Sequence, residues 1–552
     1  MDLKNLTYEV RNKGTKFIVI TGGVCSSIGK GVLVSSLGVL LKGAGYSVSV
    51  IKWDPYLNVD PGTMSPLEHG EVFVTHDGAE TDLDLGHYER TLGISLSRDS
   101  SVSSGQIFKS ILDGEREGKF LGKCIQLVPH VVDAIKTRLF AFALNHDVDF
   151  VLLEIGGTVG DIEGKVFLEA VRQVRSDLHP AHIFHGHLSY VPRLEWTGEI
   201  KTKPTQHSVN ALKEEGLVPD CIFLRTSLAI EEKQRRKLAT MCGVSQDLIF
   251  EVLTYKPVYP LFIDLQKQEV SKRIQEYFGI LAAKPSNLSQ WQDLIERIGA
   301  CKTVIKVALV AKYVGSNDPY MSVIDAIQAA GYANNVTVDI VVIDAEQLEN
   351  SQNNEAWILL KSAEGIIIPG GFDKRGGEGK IAAVRWAREQ QIPYLGLCLG
   401  MQVMLIEFGR SLVNLAHANT TEFDKKTPHP IISLLEEQAA VVQKGASMRL
   451  GEYACTLVPG SKAHQAYEQD EVRERHRHRY EFNNSYKQDF EAKGVLFSGL
   501  NPDSGLVEIS ELQGHPFMVG SQFHPEFLSG PLKPHPLFKA FIKAVLEQIN
   551  KK

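Results

Sequence analysis

Two segments far apart in the chain hold side chains that could do covalent chemistry together. Cys398 stands in Ile392-Pro-Tyr-Leu-Gly-Leu-Cys-Leu-Gly-Met-Gln402, and Phe523-His-Pro-Glu526 follows more than a hundred residues later. A thiolate, an imidazole to move its proton and a carboxylate to orient the imidazole make a set for acyl transfer. The apolar run 392–397 reads as a buried strand, Gly396 and Gly400 flank the cysteine, and 401–408 has helical spacing. That is a nucleophile elbow, a sharp strand-to-helix turn that exposes the sulfur. Amides at the start of the helix can then lower the thiol pKa and stabilise an oxyanion. Gly-x-Cys-x-Gly alone is more often the mark of a tight turn around a buried thiol, and the downstream His-x-Glu is what tips the reading to catalysis.

A second set lies near the start. Lys16-Phe-Ile-Val-Ile-Thr21 is a β-rich apolar run, the glycine loop Thr21-Gly-Gly-Val-Cys-Ser-Ser-Ile-Gly-Lys-Gly31 follows, and 32–41 has helical spacing. Strand, glycine loop and helix are the context in which such a loop cradles phosphates, with Lys30 meeting phosphate oxygens. Gly31 stands where a Ser or Thr hydroxyl usually binds magnesium, so a metal would need carboxylates from elsewhere. Glu80, Asp82, Asp84 and strand-end Glu154 are the candidates, because Mg²⁺ takes few carboxylates plus phosphate oxygens. For Asp82 and Asp84 a solvated acidic loop is an equal reading. Lys201-Thr-Lys-Pro-Thr-Gln206 offers cations and hydroxyls around a proline, as a rigid turn holding a polyanion would. His182, His185 and His187 have no acidic or cysteine partner nearby in sequence and are not read as a metal centre.

The elements that position these residues alternate. Buried strands are expected at 48–53, 150–155 and 221–224, with helices at 209–215 and 230–241 between later ones. After a break at 281–298 a second series follows: strands at 303–311, 336–343, 365–368 and 392–397, with helices at 320–330 and 379–390. Alternation of this kind implies an α/β protein of two domains, each with a mainly parallel sheet flanked by helices. The expected division is 1–280, a linker at 281–302, and 303–552.

At 552 residues the chain is long enough for two large domains. With 43% hydrophobic and 23% charged residues it falls among ordinary globular proteins, and a net charge of -7 argues against a general nucleic-acid binder. No apolar run reaches the roughly 18 residues that span a bilayer, and no signal-peptide segment opens the chain, so a cytoplasmic protein off the membrane is expected. Seven scattered cysteines without Cys-x-x-Cys indicate neither a disulfide framework nor a zinc knuckle.

Taken in order, these segments resemble the CTP synthase family over about 16–541. The resemblance rests on the 22–31 loop, Asp54-Pro-Tyr-Leu-Asn-Val-Asp-Pro-Gly-Thr-Met-Ser-Pro66, His69-Gly-Glu-Val-Phe-Val74, the stretch 78–90, Gly156-Gly-Thr-Val-Gly-Asp-Ile-Glu163, 201–208 and Glu474-Arg-His-Arg-His-Arg-Tyr-Glu481. It implies a phosphate-loop synthetase (amidoligase) domain fused to a class I glutaminase, making CTP from UTP, ATP and glutamine through a 4-phosphorylated UTP. By motif, Ser27, Ile28, Gly29, Lys30, Gly31 and Val32 would hold ATP, Asp84 and Glu154 Mg²⁺, and Lys52 would stabilise the phosphoryl-transfer charge. Ser26, Asp161, Ile162, Glu163, Lys201, Thr202, Lys203, Pro204, Thr205, Gln206 and Lys237 would contact UTP, or CTP as feedback inhibitor. Gly371, Leu399, Gly400, Met401, Gln402, Glu422 and Arg479 would contact glutamine, with Cys398, His524 and Glu526 catalytic. GTP activation, a homotetramer built as a dimer of dimers, filament formation and no prosthetic group are further implications. The chain departs from the family pattern at Asp373, which replaces a glycine in Pro369-Gly-Gly-Phe-Asp-Lys-Arg-Gly376, so an altered GTP response is expected. It departs also at 251–259, beside the ATP base, and at Leu224-Arg-Thr-Ser227. The competing readings are another ATP-dependent amidotransferase, of the cobyrinic-acid amidase type, and a catalytically quiet scaffold.

Overall fold

The structure, a computed structural model, describes residues 2–315, 318–350, 354–434 and 448–551. They form two compact units, Met1–Pro61 with His87–Ile295, and Gly62–Gly86 with Glu296–Lys552.

The first unit is built on a seven-stranded sheet. In spatial order its strands are Ser101–Ser103, Val48–Asp54, Phe150–Ile155, Lys16–Gly22, Ile183–Tyr190, Cys221–Thr226 and Ile249–Leu253. Every neighbouring pair is parallel. Phe17, Val19, Ile51, Trp53, Val151 and Leu153 face one core with Leu139, Phe140 and Phe167, while Ile18 and Ile20 are buried on the other face. Burial on both faces is why these strands read as unbroken apolar runs. Lys16–Gly22 sits centrally, so the loop after it opens at the carboxyl edge, where ligands of open α/β sheets bind.

Strand Ile183–Tyr190 escapes a sequence reading because His185 and His187 interrupt its apolar pattern. Both imidazoles are fully buried and hydrogen-bonded, with Thr21 Oγ1 2.9 Å from His185 Nε2 and from His187 Nδ1, and His187 Nε2 2.7 Å from Ser208 Oγ. Burial, with Lys30 adding to it, pushes the His187 pKa down to about 3, so it serves as a neutral member of the network. The stretch 201–206, expected as a turn, instead opens helix Lys203–Glu214, which starts six residues before the expected 209. Pro204 suits a first helical turn, where the missing N–H costs nothing.

The second unit has a nine-stranded sheet in the order Val336–Asp344, Thr303–Ala311, Gly365–Ile368, Tyr394–Leu397, Met518–Ser521, Val507–Leu512, Val495–Leu500, Arg449–Leu457, Glu471–His478. The first five strands are parallel, and the last four extend the sheet antiparallel. Helices Met321–Ala333 and Pro536–Ile549 pack on one face, Gly377–Glu389 and Leu399–Ser411 on the other. Segment Gly62–Gly86 belongs to this unit through the hairpin Phe73–Val74 with Glu80–Thr81. Its Phe73 ring packs edge-on to Phe527, and Arg475 donates to the Val74 carbonyl at 3.1 Å. Among the described residues no helix is long and apolar enough to cross a membrane.

Candidate active site

Cys398 stands between strand Tyr394–Leu397 and helix Leu399–Ser411 with φ 51° and ψ -102°. A non-glycine residue there is strained, and the surroundings must hold it. Cys398 N–H donates to Ser521 O at 2.7 Å on the neighbouring strand, and a Cβ on Gly400 would lie 2.1 Å from Ile368 O. Only glycine lets the helix start so close to the sheet. The first helix amides have no intrahelical acceptor, which leaves them for an anion at the sulfur.

His524 Nδ1 lies 2.7 Å from Glu526 Oε1. Ionised carboxylate only accepts, so Nδ1 carries the proton and Nε2 is left to exchange one with the thiol. Burial opposes charging of His524, but the Glu526 carboxylate and the neighbouring Cys398 outweigh it and lift the imidazolium to about 10. The ring stacks on Phe527 at 5.0 Å, and the His524 backbone N–H donates to Arg475 O at 2.8 Å. Gln522 Nε2 sits 3.7 Å from the Cys398 sulfur, which itself lies 3.8 Å from Arg477 O.

These groups open into a cavity of about 180 Å³, well above the roughly 10–15 Å³ that one water needs. Cys398, His524, Glu526, Gly370, Gly371 and Arg477 line it, as do Gly62, Met64, Glu71 and Val72 of the inserted segment. Arg477 holds that segment in place through Glu80 at 2.8 Å. Thus Glu80, one of the sequence candidates for metal, is engaged by arginine, and Asp82 lies 3.1 Å from His69.

Of the expected glutamine contacts, Gly371 lines the cavity. Leu399, Gly400, Met401 and Gln402 form the buried first turn behind Cys398, with Gln402 Nε2 donating to Tyr480 O at 3.0 Å. Glu422 accepts from the Asp373 amide at 2.6 Å, and Arg479 lies just past strand Glu471–His478. Asp373 has φ 66° and its Oδ2 is 2.5 Å from Lys312 Nζ. Gln522 and Lys312 are missed by sequence reasoning; Arg477 falls in the arginine-rich stretch 473–479, whose charge suits an anion in the active site.

In the first unit, Val24, Cys25, Ser26 and Ser27 form an exposed loop in which Val24 and Ser27 take positive φ, before helix Lys30–Gly43. Ile28 is buried and Gly29, the N-cap, is in the left-handed region, with Gly31 and Val32 in the first turn. Lys30 Nζ donates to Gly157 O at 2.6 Å. Lys52 and Glu154 stand in register on adjacent strands, both buried, with Lys52 Nζ 3.4 Å from Asp54 and Glu154 accepting from Tyr88. The Glu154 carboxylate is a hard oxygen donor of the kind Mg²⁺ takes; Asp84, in the first turn of helix Leu83–Leu92, belongs to the second unit. Asp161, Ile162, Glu163, Lys203 and Lys237 are exposed, Pro204 and Lys201 half-buried, the latter paired with Glu199 at 2.7 Å. Thr202, Thr205 and Gln206 are buried at the start of their helix. Arg225 was not anticipated: its guanidinium lies 3.8 Å from where a Gly29 Cβ would be. In 251–259, Tyr255 hydrogen-bonds to Asp264.

Residues 16–280 match the family described as CTP synthase N-terminus, and residues 317–544 match glutamine amidotransferase class-I. A CTP synthase of Caldanaerobacter subterraneus is 49% identical over 96% of this chain and 98% of its own length. One of Dehalococcoides mccartyi is 50% identical over 97% and 98%. Among solved structures, the glutaminase domain of a Trypanosoma brucei CTPS is 36% identical, covering 44% of this chain and 94% of that one, with a TM-score of 0.42.

Proposed function

The chain belongs to the CTP synthase family, and from that premise we propose how its residues divide the work. Cys398 attacks the glutamine carboxamide carbon, and His524 passes the thiol proton to the departing nitrogen, so that ammonia leaves and a thioester remains. Water, deprotonated by His524, then cleaves the thioester to glutamate. Glu526 keeps the Nδ1 proton in place through both steps. Glu422 and Arg479 receive the amino and carboxylate groups of the amino acid, and the amides of Gly371 and Leu399 receive the oxyanion.

In the first unit, O4 of UTP takes the γ-phosphoryl group of ATP, releasing ADP. Ammonia adds at C4 and phosphate departs, which gives CTP. ATP is consumed because oxygen is a poor leaving group from the pyrimidine carbonyl and phosphate is a good one. Ser27 to Val32 bind the ATP phosphates, and Lys30 and Lys52 offset charge at the transferring group. Ser26, Asp161, Ile162, Glu163, Lys201 to Gln206 and Lys237 hold UTP or CTP. Glu154 would hold Mg²⁺, which supplies charge neutralisation between phosphates. GTP activation, CTP feedback, tetramers, filaments and a cytoplasmic location rest on the family reading alone.

The observation that carries this proposal is the buried Cys398, His524 and Glu526 set on a chain matched over nearly its full length by CTP synthases. Incubation with UTP, ATP, Mg²⁺ and either glutamine or ammonium chloride tests it. CTP should form from both, and no CTP from ammonia would defeat it.

A further inference from the structure

Among the described residues, Lys380 is a buried cation with no hydrogen-bond acceptor. It lies in the first turn of helix Gly377–Glu389, it is 0% exposed, and its Nζ makes no hydrogen bond to any described residue. The helix is set so that this residue faces inward: a Cβ on the preceding Gly379 would fall 1.8 Å from Ala345 O, which fixes that face against helix Ala345–Glu349. The nearby carboxylates are taken by others, Asp373 by Lys312 Nζ at 2.5 Å and Glu422 by the Asp373 amide at 2.6 Å.

Where Nζ lies relative to the cavity gives it a use. A Cβ on Gly371 would be 3.6 Å from Nζ, and Gly371 lines the cavity beside Cys398. The missing side chain leaves open the space between ammonium and cavity. An unpaired buried ammonium costs stability, so its retention calls for an anion that is present only part of the time. Acyl transfer at Cys398 makes two such anions. We propose that Lys380 is a positioning residue for the glutaminase step, its ammonium the buried counter-charge to the Cys398 thiolate and to the oxyanion formed on its substrate. This rests on the acyl-transfer reading above.

The titratable groups that act on Nζ are Lys312, Asp373, Glu422 and Cys398. Burial and then Lys312 pull its pKa down to about 8, against Asp373, Cys398 and Glu422. The ammonium is therefore charged at neutral pH and lost on the alkaline side.

The test uses the full chain with Lys380→Met and, as a second variant, Lys380→Gln. The measurements are the pH dependence of Cys398 alkylation by iodoacetamide, kcat/KM for glutamine hydrolysis, Tm, and CTP formation from ammonia. Expected are an alkylation midpoint moved to higher pH, kcat/KM lowered at least about tenfold, unchanged ammonia-dependent CTP formation, and a Tm equal to or above wild type. Removing a cation held only for structure would instead lower Tm and both activities together, and that result overturns the proposal. So do alkylation and hydrolysis profiles that superimpose on wild type. Wild-type protein that hydrolyses no glutamine overturns the acyl-transfer reading, and this proposal with it; a wild type that does, beside unshifted variants, overturns this proposal alone.

Discussion

Glu526→Gln separates orientation from nucleophilicity at the thiol. The carboxylate lies 2.7 Å from His524 Nδ1, and the two side chains are 3% and 10% exposed. Breaking a buried pair of this kind costs about 3–5 kcal/mol. Separately from that stability cost, losing the carboxylate that sets the imidazole tautomer in a triad lowers kcat by up to about 10⁴-fold, so a loss of roughly 10²- to 10⁴-fold in glutamine hydrolysis is expected. The amide also offers an N–H to Nδ1, which puts the imidazole proton on Nε2 and leaves no base facing the sulfur. With Glu526 gone, burial is opposed only by Cys398, so the imidazolium falls from its wild-type value of about 10. A raised folded pKa stabilises the protein fully below the unfolded value near 6.5, and that stabilisation is lost as pH rises through the folded value. The variant should therefore have a lower Tm at pH 7 and a smaller drop in Tm between pH 7 and 10. The assay is glutamate release with and without UTP and ATP, together with ammonia-dependent CTP formation, which should be unaffected. Glutamine hydrolysis within threefold of wild type would refute the reasoning.

Two further outcomes follow from charges elsewhere. Arg449 lies 2.7 Å from Glu508 and 3.6 Å from Glu481, all three buried, and burial raises Glu508 to about 7 and Glu481 to about 8. Their contribution to stability is full below about 4.5 and is lost as pH rises through 7 to 8, so Glu481→Gln should flatten the fall in Tm between pH 5 and 8, and an unchanged slope would count against it. Asp373→Gly removes the 2.5 Å pair with Lys312; glutamine-dependent CTP formation with and without GTP should then show a larger activation than wild type, and equal activation would sink the idea of an altered response.

Much of the local geometry at both candidate sites was legible because it is set by neighbours in the chain. The elbow around Cys398 follows from a short apolar run, two glycines and a helical period, and the loop before Lys30 from the same logic. The parallel sheet of the first unit was readable where both faces are buried and hidden where polar residues form their own network, as at His185 and His187. Helix Lys203–Glu214 was placed late because proline was read as a turn, although a first helical turn accepts it equally well. What sequence could not give is contact across distance. That Arg477 pairs with Glu80, or that Lys380 has no acceptor, depends on how strands far apart in the chain meet. Segment Gly62–Gly86 joins the second unit for the same reason, since its hairpin is completed by Arg475 and Phe527.

The central claim is that one chain runs two separable reactions, glutamine hydrolysis at Cys398 and ATP-dependent amination of UTP around Lys30. Cys398→Ala, supplied with UTP, ATP and Mg²⁺ and followed by CTP formation, tests it most directly. The account predicts CTP from ammonium chloride at the wild-type rate and none from glutamine. Glutamine-dependent CTP in this variant, or loss of the ammonia reaction from a variant that stays folded, would contradict it.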